Sequence, residues 1–456
     1  MGTVLGYSSP AGPILTGNGT DSSIHLSDSQ NSWFSSVINL GALVGGPVSG
    51  LCINFVGRKG TMIYTLIPIL VGWVFIIAAQ NFAMLLIGRI VTGFSCGLIS
   101  LSIPTYLGEI SSPSVRGTLG TGFQLMMGVG ILFSYTMGAA FDSFRWIAGM
   151  CAIIPCIHSV LMIFNKESPS YLLSKGRDDA AEEALKHFRG KNYTGIPTEL
   201  MEMKDSLEQS RRKKLTFRDL SAPHILKPLL MSVGLMFFQQ FCGINAVLFN
   251  LALIFEESGS DISTTLSSII VGIVQVIATF AGSLLSDRAG RKILLSISAG
   301  VMAIALAALG VYFYILEEDP ETASNLGWLP LLSLMVFVIA FAIGSGPIPW
   351  VMMSELFSPE AKEMAGGLAT LTNWTSSFVV TIIFSPLQNA IHNYGVYWMF
   401  SALCVVDLVF VVTFIYETKG KSFQEIAIHF GGQEAAPAPS AAQVDIKVLR
   451  KSIEVY

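Results

Sequence analysis

Eleven apolar runs, nearly free of charge, divide this chain into segments long enough to cross ~30 Å of hydrocarbon. They fall at roughly Trp33–Val56, Thr61–Ala79, Phe82–Tyr106, Leu119–Ala140 and Trp146–Phe164, then Leu229–Phe255, Leu266–Ser286, Ile293–Leu316, Trp328–Met353, Gly366–Pro386 and Val396–Tyr416. A lipid core leaves backbone amides no partner but each other, so runs of this length must be helices. Only 13% of the 456 residues are charged, about half the ~25% of a soluble chain. The expectation is an all-α polytopic membrane protein. A twelfth run, Met1–Leu15, is too short to cross and lacks the basic start of a signal peptide. It reads as the outer part of a first membrane helix whose inner half is missing, through a truncated gene model or an alternative start.

Lysine and arginine set the expected orientation. Arg58, Lys59, Arg116, Arg288, Arg291, Lys292, Lys362 and the bases between Lys166 and Lys227 all fall on one side. By the positive-inside rule that side, with both termini, is cytoplasmic. The sequon Asn18-Gly19-Thr20 then lies outside, where Asn18 is a glycosylation candidate. Alternating acids and bases over Asp178–Arg189 predict short amphipathic helices in the central segment, and the run Arg211–Lys214 a solvated face at the membrane surface. The tail after Gly431 reads as disordered. The six cysteines lie within apolar runs, without metal-ligand spacing, and read as small buried hydrophobes. Neither a metal nor a nucleic-acid partner is expected.

The halves repeat. Gly57-Arg58-Lys59 returns as Gly290-Arg291-Lys292, Glu109 with Arg116 as Glu355 with Lys362, and Glu167 as Glu417, at offsets of 233, 246 and 250 residues. The expected division is a bundle over residues 1–164, a linker over 165–227, a second bundle over 228–417 and a tail over 418–456. Two such bundles imply a pseudo-twofold axis and a midplane cavity suited to alternating access.

Polar residues inside these runs are the candidate site, because each is costly unless it faces protein, water or a polar ligand. Gln239, Gln240, Asn245 and Asn250 fall within twelve residues around Gly243. On a straight helix Gln239 and Asn250 share a face, Gln240 flanks it, and Asn245 is off it unless Gly243 breaks the geometry. Uncharged groups that both donate and accept suit a neutral polyhydroxyl ligand. Hydrogen-bonded glue between helices is the competing reading.

Together these motifs resemble the sugar porter branch of the major facilitator superfamily over nearly the whole chain. They are the two Gly-Arg-Lys repeats, Tyr106 to Gly117, Gln239-Gln240 with Gly243-Ile244-Asn245, Gly346-Pro347-Ile348-Pro349-Trp350, and Glu417-Thr418-Lys419-Gly420. Within it the chain looks most like arthropod trehalose carriers and animal facilitative glucose carriers. The resemblance implies sugar contacts at Gln124, Gln239, Gln240, Asn245, Gln275, Trp350 and Asn373, with a single chain sufficient for transport. Ala342, Ser377 and Phe249-Asn250 depart from the glucose-carrier pattern, and Asn54 replaces the usual aspartate of the first Gly-Arg-Lys motif.

On the basic side, Glu109 with Arg116, Glu355 with Lys362, and Glu167 and Glu417 against Arg58, Arg288 and Arg291 are expected to bridge helix ends in one conformation, with Asp287 completing the second motif. Proton-coupled relatives carry an aspartate after the Gly-Tyr of the first helix, opposite an arginine; here the residue is Ser8, opposite Arg89. Asp407, inside the last run, reads as a helix-helix contact. The expected function is plasma-membrane uniport of trehalose or a hexose. A proton symporter and a non-transporting sensor are the alternatives. No nucleophile–base pair or phosphate loop suggests an enzyme, and no cofactor is implied.

Overall fold

The computed structural model describes residues 1–18, 24–112, 116–190, 193–212, 217–259, 263–357, 359–419, 421 and 423–430. Every regular element among them is helical. The first lobe comprises α1 (Gly2–Gly6), α2 (Ser8–Pro13), α3 (Asp28–Phe55), α4 (Arg58–Tyr64), α5 (Leu66–Ile77), α6 (Phe82–Ile110), α7 (Arg116–Ala140) and α8 (Phe144–Ile163). The linker holds α9 (Pro169–Ser174), α10 (Asp178–Arg189) and α11 (Ile196–Arg212). The second lobe begins with α12 (Pro223–Phe241), α13 (Ile244–Phe249), α14 (Leu251–Glu257), α15 (Thr264–Ala289) and α16 (Arg291–Glu318). It ends with α17 (Pro320–Asn325), α18 (Leu329–Ile343), α19 (Ile348–Leu356) and α20 (Pro359–Phe414), before α21 (Phe423–His429).

Ten helical stretches among the described residues have the length and apolarity of a membrane crossing. The last, Met364–Phe414, is 51 residues long, more than twice the ~20 a crossing needs. Its backbone departs from helix at Ile391 and at His392 (φ 61°). Phe384 and Phe400 then stack with ring centroids 6.4 Å apart, so the chain doubles back there. Counted as two, the stretch brings the crossings to eleven, and α1–α2 stand where the twelfth was expected. These short helices are buried against α7. A Cβ on Gly2 would lie 2.1 Å from the Met127 carbonyl oxygen, and one on Gly6 2.9 Å from the Ile131 Cα. Backbones touch there because the glycines leave nothing between them.

Apolar residues cover the outside. Ile67, Ile277, Ile304 and Phe414 are each more than 60% exposed, a face that lipid tails solvate as readily as a protein core would. The linker helices close a small core of Leu172, Leu173, Ala181 and Ala184. They dock on the first lobe through Arg189, which donates to the Ile110 carbonyl (2.6 Å) and pairs with Glu199 (2.5 Å). A cation suits that spot, because the last carbonyls of α6 lack helical donors.

The lobes meet on the side away from Arg58 and Arg291. Tyr135 donates to the Leu248 carbonyl (2.9 Å), the Ala252 N–H to Ser9 Oγ (3.1 Å), and Asn39 Nδ2 to Thr381 Oγ1 (3.1 Å).

Candidate functional site

The seventh crossing is broken by its own sequence. Gly243 takes the left-handed conformation (φ 88°), and a Cβ there would sit 2.7 Å from the Phe400 ring. That break rotates all that follows and brings Asn245 back toward Gln240. Asn245 Nδ2 donates to Gln240 Oε1 (2.7 Å) and Ser377 Oγ (2.8 Å). Gln240 Nε2 donates to Asn373 Oδ1 (3.2 Å), and Asn373 Nδ2 to Gln239 Oε1 (2.6 Å). Gln239 Nε2 ends the relay on the carbonyls of Ser345 (2.8 Å) and Gly346 (2.7 Å). Those carbonyls are available because α18 stops at Ile343, and Pro347 and Pro349 bring no N–H. Gln239, Gln240 and Asn373 are almost fully buried. No ionisable side chain takes part in these bonds; Gln239, Gln240 and Asn373 each both donate and accept, and Asn245 donates twice.

The structure thus gathers Gln239, Gln240, Asn245 and Asn373 into one bonded set, with Ser377 joining it. The other expected residues stand apart from that set. Trp350 is half-buried on α19, one turn beyond Gly346, and Gln124 half-buried on α7. Gln275 is buried on α15, and its Oε1 has no hydrogen-bond partner. Leaving such an acceptor unpaired costs roughly 1–3 kcal/mol, which a hydroxyl donor would relieve. α7 and α15 pack across the lobe boundary, Gly128 facing Val276 and Gly272 facing Leu132 and Tyr135. Asn250 differs from its helix-face expectation. Beyond the Gly243 break it no longer shares a face with Gln239; its Nδ2 caps the Ala246 carbonyl (2.9 Å), and it lines a cavity of about 390 Å³ instead.

On the basic side the two halves build the same cluster twice. Arg58 pairs with Glu109 (2.7 Å) and Arg291 with Glu355 (2.9 Å). Glu167 accepts the backbone N–H groups of Arg58 and Lys59 (both 3.1 Å), as Glu417 accepts those of Arg291 and Lys292 (both 3.0 Å). Ser168 Oγ bonds Glu109, and Thr418 Oγ1 bonds Glu355. Spacing had suggested Arg116 and Lys362 as partners of the two glutamates. Helix ends from across the lobe, at Arg58 and Arg291, supply a cation to each glutamate, and Glu167 and Glu417 cap helix starts, where four backbone donors lack intrahelical acceptors. Burial pushes the Glu417 carboxyl up, but the N–H groups of Lys419, Arg291 and Lys292 outweigh it and hold the group below the usual range. The side chains of Arg116, Asp287, Arg288, Lys362 and Asn18, with Gly19 and Thr20 of the sequon, lie outside the described residues.

Fully buried Arg89 donates to the carbonyls of Phe34 (3.1 Å) and Val4 (2.9 Å) and to Ser8 Oγ. Its guanidinium also lies 5.0 Å from the Phe34 ring centre. Asp407 is buried on α20, with Oδ1 lacking a hydrogen-bond partner. The cross-lobe pair Asn39–Thr381 escaped sequence reasoning. An asparagine inside the run Trp33–Val56 was the available signal.

A family model described as "Sugar (and other) transporter" matches residues 8–430. The facilitated trehalose transporter of Culex quinquefasciatus is 41% identical over 93% of this chain and 82% of its own. A trehalose transporter homologue of Drosophila simulans is 40% identical over 98% of this chain and 90% of its own. Among solved structures, the E. coli xylose transporter in a partially occluded inward-open conformation superposes with a TM-score of 0.77. It is 26% identical, covering 92% of this chain and 97% of that one.

Proposed function

The chain belongs to the sugar transporter family, and from that premise we propose that it is a facilitative carrier passing trehalose or a hexose across the plasma membrane by alternating access. The observation that carries this reading is the charge-free relay of buried carboxamides at the junction of a broken helix and an interrupted one. The insect relatives named as facilitated trehalose transporters supply the substrate class. Gln124, Gln275 and Trp350 are the proposed further contacts, the orphaned Gln275 acceptor awaiting a sugar hydroxyl.

In this reading residues 1–164 and 228–417 are the two moving lobes. Both termini are cytoplasmic, Asn18 is a glycosylation site on the outside, and one chain suffices. The twin glutamate–arginine clusters make the inner end of each lobe rigid. Ser8 opposite Arg89 favours uniport over proton symport, because a coupled carrier needs a titratable group in its path.

Counterflow of labelled trehalose and of labelled glucose into proteoliposomes, with and without a pH gradient, tests the proposal. Accumulation should be transient and indifferent to the gradient; sustained accumulation driven by a proton gradient would mark a symporter. Gln240→Ala strands two amide neighbours at ~1–3 kcal/mol each. It should lower uptake about tenfold or more at normal membrane abundance, and normal uptake would remove Gln240 from the site.

A further inference from the structure

The cavity that Asn250 lines lies away from the amide relay, on the side the charge pattern assigns to the outside. Its volume of about 390 Å³ falls within the ~300–1,000 Å³ of small-molecule sites. Asp28 and Asn31 contribute from α3, Asn250 and Glu257 from the end of the seventh crossing, Glu317 from α16, and Gln388 from α20. Along this wall the donors are largely used up. Asn393 Nδ2 donates to Glu257 Oε2 (3.1 Å), Gln388 Nε2 to Asn393 Oδ1 (2.7 Å), and His392 Nδ1 lies 3.0 Å from Glu317 Oε1. Acceptors are in surplus. Asn31 is only 5% exposed, lines the cavity, and holds an Oδ1 without a hydrogen-bond partner. Burial raises the Glu257 carboxyl above the usual carboxylate range. The Asn393 amide opposes that, and the Glu256 and Asp28 charges add to it.

We propose that this cavity is a second sugar site, an outer docking station that holds a polyhydroxyl ligand before it reaches the amide relay. The proposal rests on the carrier reading and names where that same substrate is first held. Each sugar hydroxyl carries a donor as well as acceptor lone pairs, and along this wall its O–H groups meet acceptors in surplus, the Asn31 amide oxygen among them. Asn245 and Asn250 are five residues apart, so the two sites are roughly 7–8 Å from each other along the helix.

The test is side-specific protection of a cysteine. Asn389 is exposed and lines the cavity; of the native cysteines, Cys96, Cys151, Cys242 and Cys404 are buried, and Cys52 and Cys156 half-buried. Asn389→Cys is labelled from outside with a membrane-impermeant thiol reagent, against the unsubstituted protein as control. Trehalose at about twice its dissociation constant should slow labelling about threefold, while betaine at equal osmolarity should not. Protection should persist when Gln240→Ala disables the relay, and should fall in Asn31→Leu and in the milder Asp28→Asn. Three results overturn the proposal: no protection at all, protection that vanishes with Gln240→Ala, or protection by potassium ions in place of trehalose. Wild-type counterflow, measured alongside, tells failure of the carrier reading from failure of the docking site.

Discussion

Ser8 and Arg89 meet in a buried hydrogen bond, and on that pair rests the proposal of uniport. Arg89 is buried and spends its donors on two backbone carbonyls and the Ser8 hydroxyl. Its charge is therefore dispersed over dipoles and aromatic faces. Placing a carboxylate at Ser8 would create a buried ion pair whose making and breaking depends on a proton. Ser8→Asp should accordingly give uptake that rises as outside pH falls through the neutral range, where the wild type stays flat. A flat profile in the variant would show that position 8 does not govern coupling. Residue types at the site were legible from sequence, because amides stand out inside apolar runs. Their partners were not: no spacing rule links Asn245 to Ser377, or Gln239 to the Gly346 carbonyl.

At the scale of elements, glycines decide where helices start and turn. Gly57 (φ 93°) and Gly290 (φ 92°) precede α4 and α16 with backbone angles that side-chain-bearing residues avoid. A Cβ at Gly57 would also come 2.3 Å from Glu167 Oε2, and one at Gly290 2.8 Å from Glu417 Oε2. Each glycine thus admits the carboxylate that caps the helix behind it. Gly57→Ala or Gly290→Ala should each cost roughly 1–3 kcal/mol in backbone strain and expel the cap. The readout is a lower unfolding temperature of the purified protein; an unchanged one would mean the caps carry little stability. The repeat of Gly-Arg-Lys was visible in the sequence. That it builds a cap, with the arginine paired to a glutamate on another helix, depends on three helix ends converging.

Across the whole molecule, the described cross-lobe hydrogen bonds lie away from the basic clusters, so the structure is closed on that side. Ser9 and Ala252 touch across the boundary (3.1 Å from Oγ to N), and outward opening must part them. The pair Ser9→Cys with Ala252→Cys should form a disulfide on oxidation, stop uptake, and recover with reductant; uptake that continues with the bond formed would rule out a moving boundary there. By itself the sequence determined the bundle architecture. Hydrocarbon forces apolar runs into helices, positive charge biases their orientation, and duplication pairs the halves. It also determined that the seventh crossing carries the amides. Only the tertiary structure decided which amides bond to one another, that Asn250 lines a cavity while Gln239 is bonded inside the relay, and that the basic-side glutamates meet Arg58 and Arg291. These outcomes turn on a left-handed glycine and on helix ends far apart in sequence. Rotation about a break and convergence in space leave no trace in residue spacing.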